Sequence, residues 1–311
     1  MSLIKKEVSF DNPSAAIKLA ATLSLPEGKG PFPAVVLISG TGRNTRDEEV
    51  DGHQCFLVIA DALNRRGIAV LRYDKRGVGG SSGGYLGATT ADFASDANAA
   101  VNFLKTDARI DARRIGVVGH SEGGIIAPAV AAENKHVAFF VMIASPGIRG
   151  DKLFVLQSAM TAQVYGVPAD IIARRKLFDQ RLYDAIISAP TGEAAREQAE
   201  ALVARGVADK VIDANDAETL PMSLTSAWQR HFLAYDPAIA LRKLNVPVLA
   251  LNGSLDVQVP ATENLAAIRT ALRDNKDATV LDDETMAPGA LKIITDWVAA
   301  HCMRIPRNQA D

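Results

Sequence analysis

The chain has 311 residues, 48% of them hydrophobic and 23% charged, and its 34 Lys and Arg against 36 Asp and Glu leave a formal net charge of −2. This composition excludes a disordered, collagenous or disulfide-stapled chain. With no long run of either sign, it gives no electrostatic ground for nucleic acid or an anionic membrane as partner and favours a small neutral or mixed-charge ligand.

Short β-branched runs alternate with longer helical ones, the pattern of a mostly parallel sheet covered by helices on both faces. Strands are expected at about 5–10, 17–25, 34–39, 68–73, 115–119, 138–144, 247–252 and 278–282. The first two lie close together and alternate apolar with polar residues, as in Ile17-Lys18-Leu19-Ala20, so they suit an antiparallel hairpin at a sheet edge. Helices are expected near 54–66, 92–105, 122–133, 261–272 and 289–301, the last with Leu291, Ile294, Trp297 and Val298 on one face. From about 149 to 240 the pattern is helical only, with Ile171, Phe178, Leu182 and Ile186 at roughly heptad spacing and Pro168, Pro190 and Pro221 as dividers. The expected class is therefore α/β: a doubly wound, mostly parallel eight-stranded sheet formed by 1–148 and 241–311, with 149–240 inserted as a helical cap. Insertions of this kind usually emerge at the strand C-termini, where ligands bind.

Cys55 and Cys302 form no CxxC and no cysteine–histidine spacing suited to zinc, so both read as apolar packing residues and no metal is expected. No stretch reaches the ~20 apolar residues of a membrane span, and Met1 to Lys6 is not followed by a signal-peptide core. A cytoplasmic protein is the expectation, although a Met-Ser-Leu beginning fits equally well a start placed after a removed leader. Oligomeric state is not legible.

The strongest chemical signal is Gly119-His120-Ser121-Glu122-Gly123, a G-x-S-x-G at a strand end and directly before a helix. A serine hydroxyl is a poor nucleophile unless it is held exposed and deprotonated as it attacks. A sharp strand-to-helix turn does the holding, and flanking glycines let the chain close without clashes. The following helix aims free N–H groups and its positive end at a developing oxyanion, so the Glu122 N–H is one expected donor. The glycine-rich run 77–84 lacks the Gly-Lys-Ser/Thr ending of a phosphate loop, which argues against a nucleotide.

On these residues the chain resembles the α/β-hydrolase superfamily, in its serine esterase branch similar to peptidase families S9 and S33, whose members carry a helical cap after the sixth strand. The resemblance runs from about 30 to 302. Besides the elbow it includes Leu37-Ile38-Ser39-Gly40-Thr41-Gly42, Arg46-Asp47-Glu48, Tyr73-Asp74-Lys75-Arg76-Gly77-Val78-Gly79 and Leu251 to Pro260, each after a strand. It implies a second oxyanion donor from the Thr41 N–H and a triad acid at Asp256, where a carboxylate would orient a histidine. Asp256 also reads as an N-cap for the segment starting at Pro260. Asp74 and Arg76 read as an ion pair bracing the loop beside the elbow.

The family pattern also requires a histidine between the eighth strand and the last helix, and residues 282–287 contain none. His120 should point away from the serine; His301 and His136 are remote; His53 and His231 are on the correct side but off the triad position. Either a histidine-bearing segment is missing between about Asp282 and Met286, or Ser121 has no base. The expected activity is hydrolysis of carboxylic esters of short to medium acyl chain through an acyl-enzyme on Ser121, with no cofactor. An exopeptidase or amidase and a thioesterase are the alternatives of the same fold. A catalytically disabled binding protein is the alternative of another class.

Overall fold

The computed structural model describes residues 4–283 and 288–303. In chain order the elements begin β1 (Ile4–Asn12), β2 (Ile17–Leu25), β3 (Phe32–Ile38), the short β4 (Glu49–Val50) and β5 (His53–Gln54), α1 (Cys55–Asn64), β6 (Ala69–Tyr73) and α2 (Thr90–Thr106). Then come β7 (Ile110–His120), α3 (Glu122–Glu133), β8 (Val137–Ile143), α4 (Gly150–Val164), α5 (Ala169–Ser188), α6 (Gly192–Ala208), α7 (Thr219–Leu224), α8 (Ala227–Ala234) and α9 (Pro237–Leu241). The chain closes with β9 (Val248–Gly253), α10 (Ala261–Ala271), β10 (Ala278–Asp283) and α11 (Pro288–Met303).

Eight strands form one sheet in the order β1-β2-β6-β3-β7-β8-β9-β10. β1 pairs antiparallel with β2, and β2 antiparallel with β6, while every later pairing is parallel. The alternating edge hairpin and the continuous apolar runs of the central strands have the same cause. A strand covered on one face needs every second residue apolar, whereas one covered on both needs them all. β3 accordingly buries Pro33 through Ile38, and β6 buries all five of its residues.

Two apolar layers flank the sheet. One packs α2, α3 and α10 through Phe93, Val101, Ile126 and Ile268; the other packs α1 and α11 through Phe56, Leu63, Ile294 and Val298. Between β8 and β9 there are only helices. They hold a cluster of their own around Leu182, Ile186, Ala199 and Val203, joined to the sheet by Phe232 and Leu153 packing with Ile125 and Val259.

Some details differ from expectation. Pro168 caps α5 and Pro190 separates α5 from α6, but Pro221 lies within the first turn of α7, where its missing N–H has no helical partner to lose. Ile171 is 47% exposed, because the buried stripe of α5 starts only in its second half. Cys55 is exposed at the start of α1, so only Cys302 packs in the interior. Residues 284–287, within the connection that the triad histidine would occupy, are outside the described residues.

Candidate active site

The elbow is built from close backbone contacts. Ser121 has φ 51° and ψ −117°, a left-handed conformation that costs a non-glycine residue about 1–2 kcal/mol. The surroundings enforce it: the Ser121 N–H donates to the Ile143 carbonyl at the end of β8 (2.8 Å), and the Gly124 N–H donates to the Ser121 carbonyl (3.0 Å). A methyl group at Gly119 would overlap the Gly123 backbone, and one at Gly123 would overlap the Ile38 carbonyl. Glycine is thus required on both sides of the serine by the crossing of β7 with α3 and of α3 with β3.

The loop after β3 lies directly over Ser121. A Cβ on Gly40 would stand 3.1 Å from Ser121 Cβ, 3.2 Å from Glu48 Oε1 and 3.3 Å from His120 Nδ1. The Gly40 N–H donates to Glu48 Oε1 (2.5 Å), and the same oxygen faces His120 Nδ1 at 3.0 Å. Glu48 is buried in a left-handed conformation (φ 45°), and its second oxygen has no partner among the described residues. On the other side, the Gly40 carbonyl accepts from Lys75 Nζ (2.5 Å) and Asn44 Nδ2 (2.8 Å).

The Glu122 side chain is tied down from three directions. Its buried carboxylate accepts from Thr90 Oγ1 of α2 (2.8 Å) and Trp228 Nε1 of α8 (2.7 Å), and its other oxygen pairs with Lys75 Nζ at 3.3 Å. Burial pulls the Lys75 ammonium below its ordinary pKa, an effect that the Glu122 charge opposes. The ammonium also lies 4.4 Å from the centre of the Phe93 ring.

Asp256 follows β9 and rims the same cavity, half-buried. Its Oδ1 accepts from the Gln258 and Val259 N–H groups (2.8 and 3.0 Å), so it closes its own turn and does not cap α10, whose N-cap is Pro260. The turn is secured by Asn252 Nδ2 on the Val259 carbonyl, and Asn264 Oδ1 ties α10 to the Gly147 N–H after β8.

Ser121, Thr41 and Asp256 line one cavity of about 620 Å³. Its far wall is the helical segment, with Leu153, Phe154, Trp228 and Phe232, in which Phe232 stacks on Trp228 at 5.0 Å and leans on Phe154 at 5.2 Å. Gln157 of α4 bonds Gln258 across the rim. No lysine or arginine lines the cavity among the described residues.

His120 is among the residues lining the cavity, and its Nδ1 faces Glu48 Oε1 in the loop after β3. Burial lowers its pKa, but the bond and charge of Glu48 and the charge of Asp256 prevail and raise it. His231 instead lines a second cavity between α2, α3 and α8, His53 is exposed on β5, and His301 stacks on Trp297 at the far end of α11. Among the described residues no histidine is bonded to the Ser121 hydroxyl.

Asp74 and Arg76 do not pair with each other. Asp74 takes a bidentate Arg46 from the loop after β3, whereas Arg76 reaches Asp96 and Asp92 on α2. Sequence reasoning also gave no role to Glu48, Lys75 or Trp228. The available signal was four ionisable or hydroxyl residues, Tyr73 to Arg76, directly at the end of a buried strand, where charges must find partners. Among the described residues there is no group of His, Cys, Asp and Glu placed to hold a metal, and no helix is long and apolar enough to cross a membrane.

The chain has relatives among known proteins in sequence and in fold. The chain is 28% identical over 282 residues to the esterase EstD of Thermotoga maritima, covering 88% of this chain and 59% of the relative, so it spans about three-fifths of that protein's length. The fold matches the Pyrococcus furiosus esterase Pf2001 with a TM-score of 0.62 at 16% identity over 96% of this chain and 90% of the other. It matches the α/β hydrolase GrgF of Penicillium sp. sh18 with a TM-score of 0.60 at 18% identity, over 96% and 99%. Est1E of Butyrivibrio proteoclasticus, solved with ferulic acid bound, superimposes with a TM-score of 0.56 at 19% identity, over 94% and 96%. Residues 50–283 match the profile of the serine aminopeptidase S33 family, and the chain, with its eight-stranded α/β-hydrolase fold, belongs to that family.

Proposed function

We propose that the chain is a serine hydrolase that cleaves uncharged carboxylic esters of short to medium acyl chain through an acyl-enzyme on Ser121. The observation that carries this reading is the strained Ser121 at the floor of a cavity whose wall is Leu153, Phe154, Trp228 and Phe232. Attack of Ser121 Oγ on the ester carbonyl moves the π pair onto oxygen, and the N–H groups of Thr41 and Glu122 receive that charge. The Ser121 hydroxyl proton passes through a general base to the departing alkoxide, so the tetrahedral intermediate expels the alcohol, and water, deprotonated in the same way as it attacks the acyl carbonyl, then releases the acid and restores the serine. Asp256 has one oxygen free of its own turn, fit to orient an imidazole. We read helices α4–α9 as a cap whose apolar wall receives the acyl group, and the absence of cationic lining among the described residues as selection against carboxylate-bearing substrates. An amide or thioester substrate would use the same groups.

One observation favours a second reading. Residues 282–287 supply no histidine, and no imidazole is bonded to Ser121 among the described residues. A hydrolase fold without its base would bind acyl compounds and not turn them over. Intact mass before and after a fluorophosphonate, with Ser121→Ala alongside, decides between the two. One adduct, lost in the variant, sustains the hydrolase; no adduct on a protein of 33.0 kDa leaves the binding protein.

A further inference from the structure

The peptide group that would present the Thr41 N–H to the reacting carbonyl is the one that begins with the Gly40 carbonyl. Because a peptide is planar and trans, its C=O and N–H point in opposite directions, so whatever grips the Gly40 oxygen from behind also aims the Thr41 N–H. That grip is a buried cation: Lys75 Nζ donates to the Gly40 oxygen at 2.5 Å, with Asn44 as the second donor. Lys75 is held in turn by Glu122, the residue whose own N–H is the other expected donor, and Glu122 is anchored by Thr90 and by Trp228 from the cavity wall. Lys75 and Glu122 are both almost wholly inaccessible to water (side chains 3% and 0% exposed), so neither charge is spent on solubility.

We propose that Lys75 is a positioning residue for the hydrolysis described above, fixing and polarising the Gly40–Thr41 peptide so that the Thr41 N–H is preset for the oxyanion. A cation on the carbonyl oxygen draws electron density through the amide and strengthens its N–H as a donor, as hydrogen bonds in a chain reinforce one another. The relay Trp228–Glu122–Lys75–Gly40 further ties the cavity wall to the oxyanion loop, so docking of the wall and setting of the donor are one event. This inference rests on the hydrolase reading for its kinetics but not for its geometry.

The test removes both charges together, since Lys75→Met alone strands a buried carboxylate and can prevent folding. In Lys75→Met/Glu122→Gln, kcat on p-nitrophenyl butyrate is expected to fall about 10²-fold with KM within about 3-fold of wild type, the signature of a transition-state interaction. The fluorophosphonate labelling rate should fall with it. The backbone amide signal of Thr41, read by NMR in the free protein, should move upfield in the double variant and move less in Glu122→Gln, which keeps the ammonium on Gly40. A folded double variant with wild-type kcat, or with an unmoved Thr41 signal, overturns the proposal. A wild-type protein that neither turns over ester nor takes the label overturns the hydrolase reading instead, and the Thr41 signal then decides this proposal alone.

Discussion

The two sides of the cavity are built on opposite principles. On the Ser121 side, β7, α3 and the loop after β3 meet backbone to backbone, and the charges there, Glu48, Lys75 and Glu122, are all buried, each with at least one bonded partner. On the Asp256 side, the turn after β9 is open: Ser254 and Leu255 are exposed, and Asp256 spends one oxygen on its own turn. The first side has its geometry imposed by the core, so its precision is a by-product of stability. The second has its geometry written in local turn chemistry and leaves a carboxylate oxygen available. Positions on the first side should therefore affect folding and activity together, whereas those on the second should separate them.

The contrast is broken most severely at Gly123. Gly123→Ala forces a methyl group into the Ile38 carbonyl and should cost about 3 kcal/mol or more, seen as a large drop in the urea midpoint; an unchanged midpoint would show that β3 and α3 can separate. On the open side, Asp256→Asn keeps an oxygen for the Gln258 and Val259 N–H groups, so stability should hold within about 0.5 kcal/mol. If Asp256 is the acid, the same substitution should reduce kcat roughly 10⁴-fold. Equal kcat in wild type and Asp256→Asn would remove Asp256 from the mechanism. Trp228→Phe takes one charge-assisted bond from Glu122 and should cost about 1.5–3 kcal/mol by chemical unfolding, testing whether the helical segment shares the rigidity of the Ser121 side.

A pH series sharpens the comparison with a smaller effect. His120 has its folded pKa raised above the ordinary 6.5, with Glu48 and Asp256 outweighing burial. Such a group stabilises the fold fully below its unfolded pKa, and that contribution is lost as pH rises through the folded value. The urea midpoint of wild type should thus decline as pH is raised from 6 into the alkaline range, and Glu48→Gln should flatten this slope. A slope unchanged in Glu48→Gln would assign it to other groups. Smallest of all, Leu255→Ser at the rim, 84% exposed, should leave stability within about 0.5 kcal/mol while raising KM for longer acyl chains.

Much of this was legible from the linear order of residues. The strand and helix positions follow from apolar periodicity, and α3 runs from Glu122 to Glu133 as the pattern after the serine requires. The elbow is readable because a G-x-S-x-G at a strand end directly before a helix is a local pattern, and Gly119 meets Gly123 within that turn, although the demand at Gly123 comes from Ile38 of β3. The five-residue span between Gly40 and Asn44 and the short hairpin β4–β5 were not readable in the same way, nor was the direction of His120. Glu48 for His120 and Lys75 for Gly40 are partners brought from elsewhere in the chain, and the hairpin has only two residues a side, too few for periodicity to show.

What the sequence by itself determined is the α/β class, the edge hairpin, the helical stretch between β8 and β9 and the serine at a strand-to-helix turn, because periodicity and turn chemistry act over a few residues. Only the tertiary structure decided that Asp74 and Arg76 part company, that Arg46 and Asp96 receive them, and that a lysine 35 positions beyond Gly40 grips its carbonyl. The physical reason is that a buried charge is stable with any partner that completes its hydrogen bonds, so the residue type states the need and only the packing of distant elements chooses who meets it.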